Sequence, residues 1–156
     1  MITKKQITRE EALQKIKRYC DYQKRSHSET KKKLYSLGLW KNDVEELLAQ
    51  LVEEKYLNEE DFAIAFARGK FRIKQWGKVK IKNELKLKQV SNYCINKALN
   101  EIKNEDYLHT FEKLAKKRIQ SLKSEKNIFI KKRKLQDHLL QKGYEWELVK
   151  NFVANI

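Results

Sequence analysis

The chain of 156 residues carries 36 Lys and Arg against 21 Asp and Glu, for a net charge of +15, and has four glycines and no proline. That mixture favours helices, leaves few turn-makers and points to an all-α protein whose field attracts phosphates, acidic protein surfaces or anionic lipid. No apolar run approaches the roughly 20 residues that span a bilayer, and MITKKQITREE lacks the apolar core of a signal peptide, so a cytoplasmic protein with no membrane partner is expected.

From the amino terminus, Thr8 with Glu11 and Ser26 with Glu29 have capping-box spacing and open the first two helices. Gly38 suits the left-handed position after the second, and Leu39 can close back on the preceding turn. NDVEELLAQLVEE forms a third helix. Asn58 caps a fourth, whose first turn holds Glu59, Glu60 and Asp61, where the helix macrodipole favours negative charge. In QWGKVKIKNELKLKQVS, Ile81, Leu85 and Val90 space as an inward face and Lys78, Lys80 and Lys82 point outward; NYCINKALNEI follows as a sixth helix. Asn104 caps the seventh, SLKSEKNIF is either a mobile linker or added helix, and KLQDHLLQKGYEWELV carries the last helix pair with Gly143 between them.

This order is a threefold repeat. With Leu34, Leu85 and Leu139 aligned, five positions on lie Leu39, Val90 and Tyr144, and ten on lie Val44, Ile95 and Val149. Leu48, Leu99 and Val153 come next, then Leu51, Ile102 and Ile156. The fold expected is three tandem three-helix repeats, 1–57, 58–104 and 105–156, in an elongated, curved arrangement, because a unit this small buries little apolar area alone. Gly38 and Gly143 share an aligned position that Gln89 breaks in the middle copy.

Charge is concentrated within the repeats. From Arg68 to Lys88 there are nine Lys/Arg and one acid, and from Lys113 to Lys134 ten and one, where mixed signs would serve solubility with less repulsion. Arg68, Lys70, Arg72, Lys74, Lys78, Lys80 and Lys82 are therefore candidates for a functional basic surface, with Arg25 in the first unit and Lys131, Lys132 and Arg133 in the third. Trp40, Phe71, Trp76, Tyr107, Phe111, Phe129, Tyr144 and Trp146 are read as packing residues rather than base-stacking ones, Trp76 least firmly because it sits at a turn beside Gly77. A helix pair of this kind resembles a helix-turn-helix, but the second helices are acidic or neutral, which argues against base reading.

Catalysis finds little support. His27, His109 and His138 lack HExxH, HxH or cysteine companions, Cys20 and Cys94 have no metal spacing and read as buried apolar residues, and no phosphate-binding glycine motif occurs. A metal-dependent nuclease using Glu59 and Asp61 is the enzyme alternative, set aside in favour of helix-cap electrostatics. No cofactor and no metal are expected.

RSHSETKKKLYSLGL (25–39), LVEEKYLNEEDFAIAFARGKFRIKQWGKVKIKNELKLKQVS (51–91) and KLQDHLLQKGYEWELV (134–149) together resemble RecX, the family of bacterial regulators of the RecA recombinase. The matching positions are Arg25, Ser28, Glu29 and Leu34, then Asp61, Phe62, Ala63, Trp76, Gly77, Ile81, Glu84 and Leu85. Gln89 and Val90 depart from the family's glycine-led turn. The resemblance implies a non-enzymatic modulator that binds the groove of the RecA–DNA filament, lowers ATP hydrolysis and strand exchange, and limits filament extension; a monomer is expected. Its basic surface would meet RecA, DNA or both; the alternative is a DNA-binding protein that neutralises phosphates independently of RecA.

Overall fold

The computed structural model describes residues 7–156, which form nine helices and no strand. They fall into three successive trios. The first comprises α1 (Arg9–Tyr22), α2 (His27–Ser36) and α3 (Lys41–Glu53); the second α4 (Glu59–Lys74), α5 (Lys78–Leu87) and α6 (Asn92–Asn100); the third α7 (Asn104–Ser121), α8 (Ile128–Gln141) and α9 (Trp146–Ala154). A compact monomer of this mass exposes about 8,300 Å², whereas this chain exposes 10951 Å², the excess expected of an elongated tandem array.

Local chemistry fixes the helix ends. Thr8 accepts from the Glu11 N–H (3.1 Å) and Asn58 from the Asp61 N–H (3.0 Å), while Ser26 and Glu29 form a reciprocal capping box. Asn104, expected as a cap, is instead the first residue of α7; Lys103 holds the cap position without a side-chain bond. Gly38 and Gly143 are left-handed (φ +93° and +96°), and Gln89 adopts the same conformation at φ 62° despite its Cβ. Within SLKSEKNIF residues 122–127 form the turn between α7 and α8, and the rest of the extra length goes into helix: α7 has 18 residues against 16 in α4, and α8 has 14 against 10 in α5.

The repeat positions pack as their spacing predicts through the first three steps. Leu34, Leu85, Leu139, Val44, Ile95 and Val149 are all fully buried, and Leu39, Val90 and Tyr144 nearly so. Beyond them the register loosens: Leu48 and Leu99 are half-buried because Leu47 and Ala98 take the innermost place, and Ile156 is exposed at the end of the last trio. Among the aromatics, Phe71, Tyr107, Phe111 and Tyr144 are core, but Trp40 (75% exposed), Phe129 (81%) and Trp146 (49%) stand in solvent, correcting the packing role expected of them. Cys20 and Cys94 are free and buried.

The three trios make two cores. The first trio holds its own, built on Ile16, Leu34, Leu47 and Leu51, whereas the second and third share one continuous core. An aromatic column runs through that shared core, Phe71 stacked on Tyr107 (5.9 Å between centroids), Tyr107 edge-on to Tyr144 (5.3 Å), and Phe111 between Tyr144 and Phe152. The amino end of α5 docks on the α8–α9 turn: Gly77 N–H donates to the Lys142 carbonyl (2.8 Å) and Val79 N–H to that of Gly143 (2.9 Å).

Candidate interaction surface

Helix α4 organises the basic surface because its 16 residues carry two faces of opposite use. Phe62, Ala63, Ala67 and Phe71 are buried, mainly against α6 and the shared core. The remaining circumference carries Arg68 and Arg72 on one flank and Lys70 and Lys74 on the other, each pair one turn apart. Of the acids that open the helix, Glu60 pairs with Lys97 (3.2 Å), and that hydrogen bond raises the lysine's pKa. No group of three or more His, Cys, Asp or Glu converges as a metal site among the described residues.

Lys70 and Lys80 converge on Trp76. Their ammonium groups lie 5.0 Å and 4.6 Å from the indole, and the ring packs edge-on to Phe66, so Trp76 is half-buried and already covered by cations. Lys142, which sequence reasoning did not single out, reaches the same corner by donating to the Lys74 carbonyl (3.3 Å). Only the docking of the third trio on α5 brings it there. Lys78 lies 5.0 Å from the Tyr107 ring, while Lys82 is exposed one turn along α5.

The corner is braced by two buried phenols. Tyr107 accepts from the Lys78 N–H (2.9 Å) and donates to Glu145 (2.8 Å), and Tyr144 donates to the Gln75 carbonyl (2.8 Å). Burial pushes both phenols well above their ordinary pKa, with the Glu145 carboxylate acting in the same direction, so both remain protonated donors.

The other candidates lie apart from this corner. Arg25 is half-buried at the α1–α2 bend, where its Nε donates to the Tyr19 carbonyl (3.0 Å) and its guanidinium stacks 3.8 Å from the Tyr19 ring, so much of its hydrogen-bonding capacity is used locally. Lys131 and Lys132 are half-buried and Arg133 exposed on α8; no hydrogen bond, ion pair or ring contact among the described residues joins them to α4 or α5. The seven ion pairs of the described residues use Arg9, Lys17, Lys41, Lys88, Lys97 and Lys134. None uses Arg25, Arg68, Lys70, Arg72, Lys74, Lys78, Lys80, Lys82, Lys131, Lys132 or Arg133. Among the described residues none of these eleven is held in an ion pair, although Arg68 and Arg72 line a shallow pocket with Glu101 and Asp106.

The second and third trios match known domains: the second three-helix domain of RecX over residues 58–99 and the third over 105–153. The chain belongs to the RecX family. It is 26% identical over 132 residues to the regulatory protein RecX of Bacillus cytotoxicus, covering 84% of this chain and 48% of that protein. It is 29% identical over 133 residues to that of Bacillus licheniformis, covering 84% and 49%. The chain therefore spans about half the length of these RecX relatives. The crystal structure of RecX from Lactobacillus salivarius superposes with a TM-score of 0.82 at 21% identity, covering 94% of this chain and 95% of that one. A second crystal structure, of regulatory protein RecX, gives 0.83 at 22% identity, covering 95% and 72%. At these identities the structures establish the RecX fold. Among the described residues no helix is long and apolar enough to cross a membrane.

Proposed function

We propose that this chain is a cytoplasmic regulator of the RecA recombinase that binds in the groove of the RecA–DNA filament, lowers RecA's ATP hydrolysis and strand exchange, and limits filament extension, acting as a monomer, without a cofactor or catalysis of its own. The carrying observation is the set of eleven basic side chains that form no ion pair among the described residues. Uncompensated cations spread along an elongated tandem array suit a ligand that is itself long, repetitive and anionic, as a nucleoprotein filament is. The partners are RecA and, directly or through the filament, DNA.

The test is ATP hydrolysis by the cognate RecA on single-stranded DNA as this protein is added. Loss of hydrolysis well below one protein per RecA supports action on the filament. Loss that begins only when the protein saturates the DNA, with affinity falling by about 0.7 log units per log unit of salt for each phosphate contacted on single strands, means competition for phosphates and replaces the regulator reading with independent DNA binding.

A further inference from the structure

Helix α4 has an apolar stripe that its own fold leaves unused. Ala65, Gly69 and Ile73 follow one another at four-residue steps, each two residues on from the buried Ala63, Ala67 and Phe71, and two residues turn a helix by about 200°. The stripe thus faces away from the core, and Ile73 is 80% exposed. With Phe66 it floors a groove of about 250 Å³ whose remaining lining is Lys70 and Lys74. One residue before Gly69 and Ile73 stand Arg68 and Arg72, and one residue after stand Lys70 and Lys74, so the apolar floor runs between two rails of cations, none of them ion-paired among the described residues.

Gly69 sharpens this picture. A glycine inside a helix weakens it relative to any ordinary residue, and nothing among the described residues requires one here: the backbone is not left-handed, and an added Cβ would meet no atom within 4 Å. Its use lies outside the chain, where the missing side chain lets another helix approach α4 closely.

We propose that the α4 groove receives an acidic amphipathic helix of the protein partner, with an apolar side chain seated over Gly69 between Phe66 and Ile73, and carboxylates on its two flanks meeting Arg68 and Arg72 on one side and Lys70 and Lys74 on the other. This rests on the reading of the chain as a regulator of RecA and names the kind of partner surface its middle trio takes. Charge complementarity selects an anionic occupant, and the apolar floor selects a protein helix over a phosphate backbone, which would leave Ile73 in water. Base stacking has no open platform at this corner, because the Trp76 ring is flanked by the ammonium groups of Lys70 and Lys80.

Gly69→Leu tests the proposal, since it fills the groove and strengthens α4, and its Cβ has open space around it. Binding of the full chain is measured by fluorescence anisotropy, first to the cognate RecA without DNA and then to a single-stranded oligonucleotide without RecA, with circular dichroism confirming the fold. The expected result is a loss of about tenfold or more in affinity for RecA with oligonucleotide affinity unchanged; Arg68→Glu with Arg72→Glu should lower affinity for RecA as well. Unaltered RecA binding by Gly69→Leu overturns the groove as a docking site. A fall in oligonucleotide affinity, alone or together with that for RecA, makes the occupant a nucleic acid and overturns the proposal too. An unmodified chain that neither binds RecA nor slows its ATP hydrolysis removes the regulator reading, and the proposal with it, before any variant is compared.

Discussion

The two junctions between trios occupy equivalent places in the repeat and are built from different materials. At the second, backbone meets backbone: Gly77 N–H reaches the Lys142 carbonyl and Val79 N–H the Gly143 carbonyl. At the first, side chains bridge the gap: Ser28 Oγ donates to the Lys88 carbonyl (2.7 Å) and Lys88 Nζ pairs with Glu29 (2.5 Å). The carbonyls of Lys88 and Lys142 stand at the same repeat position, so one acceptor receives a hydroxyl in one case and an amide in the other. The difference traces to two residues. Gly77 and Gly143 approach so closely that a Cβ on Gly77 would lie 2.3 Å from the Gly143 carbonyl carbon; at the first junction Ser26 and Gln89 hold those positions, and no backbone–backbone hydrogen bond crosses it among the described residues. A pair of glycines therefore converts stacked repeats into one fused body, and the first trio, without them, keeps a core of its own.

The largest effect that could break this comparison is Gly77→Ala. The added methyl cannot be accommodated without separating α5 from the α8–α9 turn, and a cost of about 3 kcal/mol is expected, the upper range for overpacking. Denaturant unfolding followed by circular dichroism should then show destabilisation of the α4–α9 body while the first trio unfolds as before. A stability equal to that of the unmodified chain would mean that the glycine pair does not fuse the repeats.

Side-chain periodicity exposed the trios but not this junction, and the reason is physical. Leu34, Leu85 and Leu139 are legible because each is buried by its own trio, so the helical period alone selects them. The junction is made of amides and carbonyls, which every residue has, and only Gly77 and Gly143 mark it. Trp40 and Phe129 carry apolar side chains that periodicity assigns to packing, yet both stand exposed on faces that no neighbouring trio covers. The basic residues of the candidate surface were legible as types, whereas their grouping was not: Lys142 joins the Trp76 corner across 68 positions of sequence through its bond to Lys74, and Arg25 leaves the group to stack on Tyr19.

An intermediate effect is expected at the first junction. Ser28→Ala with Lys88→Met removes both bonds that cross it, at a cost of about 1–2 kcal/mol given the partial exposure of the ion pair. The first trio should keep its fold but swing more freely about the chain between α3 and α4. Limited proteolysis within 54–58 would report this as cleavage accelerated by about tenfold, with the α4–α9 body unaffected. Unchanged cleavage would show that these two bonds do not hold the first trio in place.

The smallest effect has the opposite sign and isolates the turn from the junction. Gln89 occupies the left-handed conformation that Gly38 and Gly143 provide in the other two trios, and it is exposed. A residue with a Cβ loses about 1–2 kcal/mol in that conformation, and replacing it with glycine returns about 0.4–1 kcal/mol of that through the greater freedom of the unfolded chain. Gln89→Gly should therefore stabilise the protein by about 0.5–1 kcal/mol. Ser26 still stands where Gly77 would be needed, so the gain should come without drawing the first trio into the shared core. Thermal unfolding separates the two contributions: a modest rise in the transition of the α4–α9 body alone assigns the gain to turn strain. A rise that also merges the first trio's unfolding with it would show that one glycine suffices to fuse two repeats.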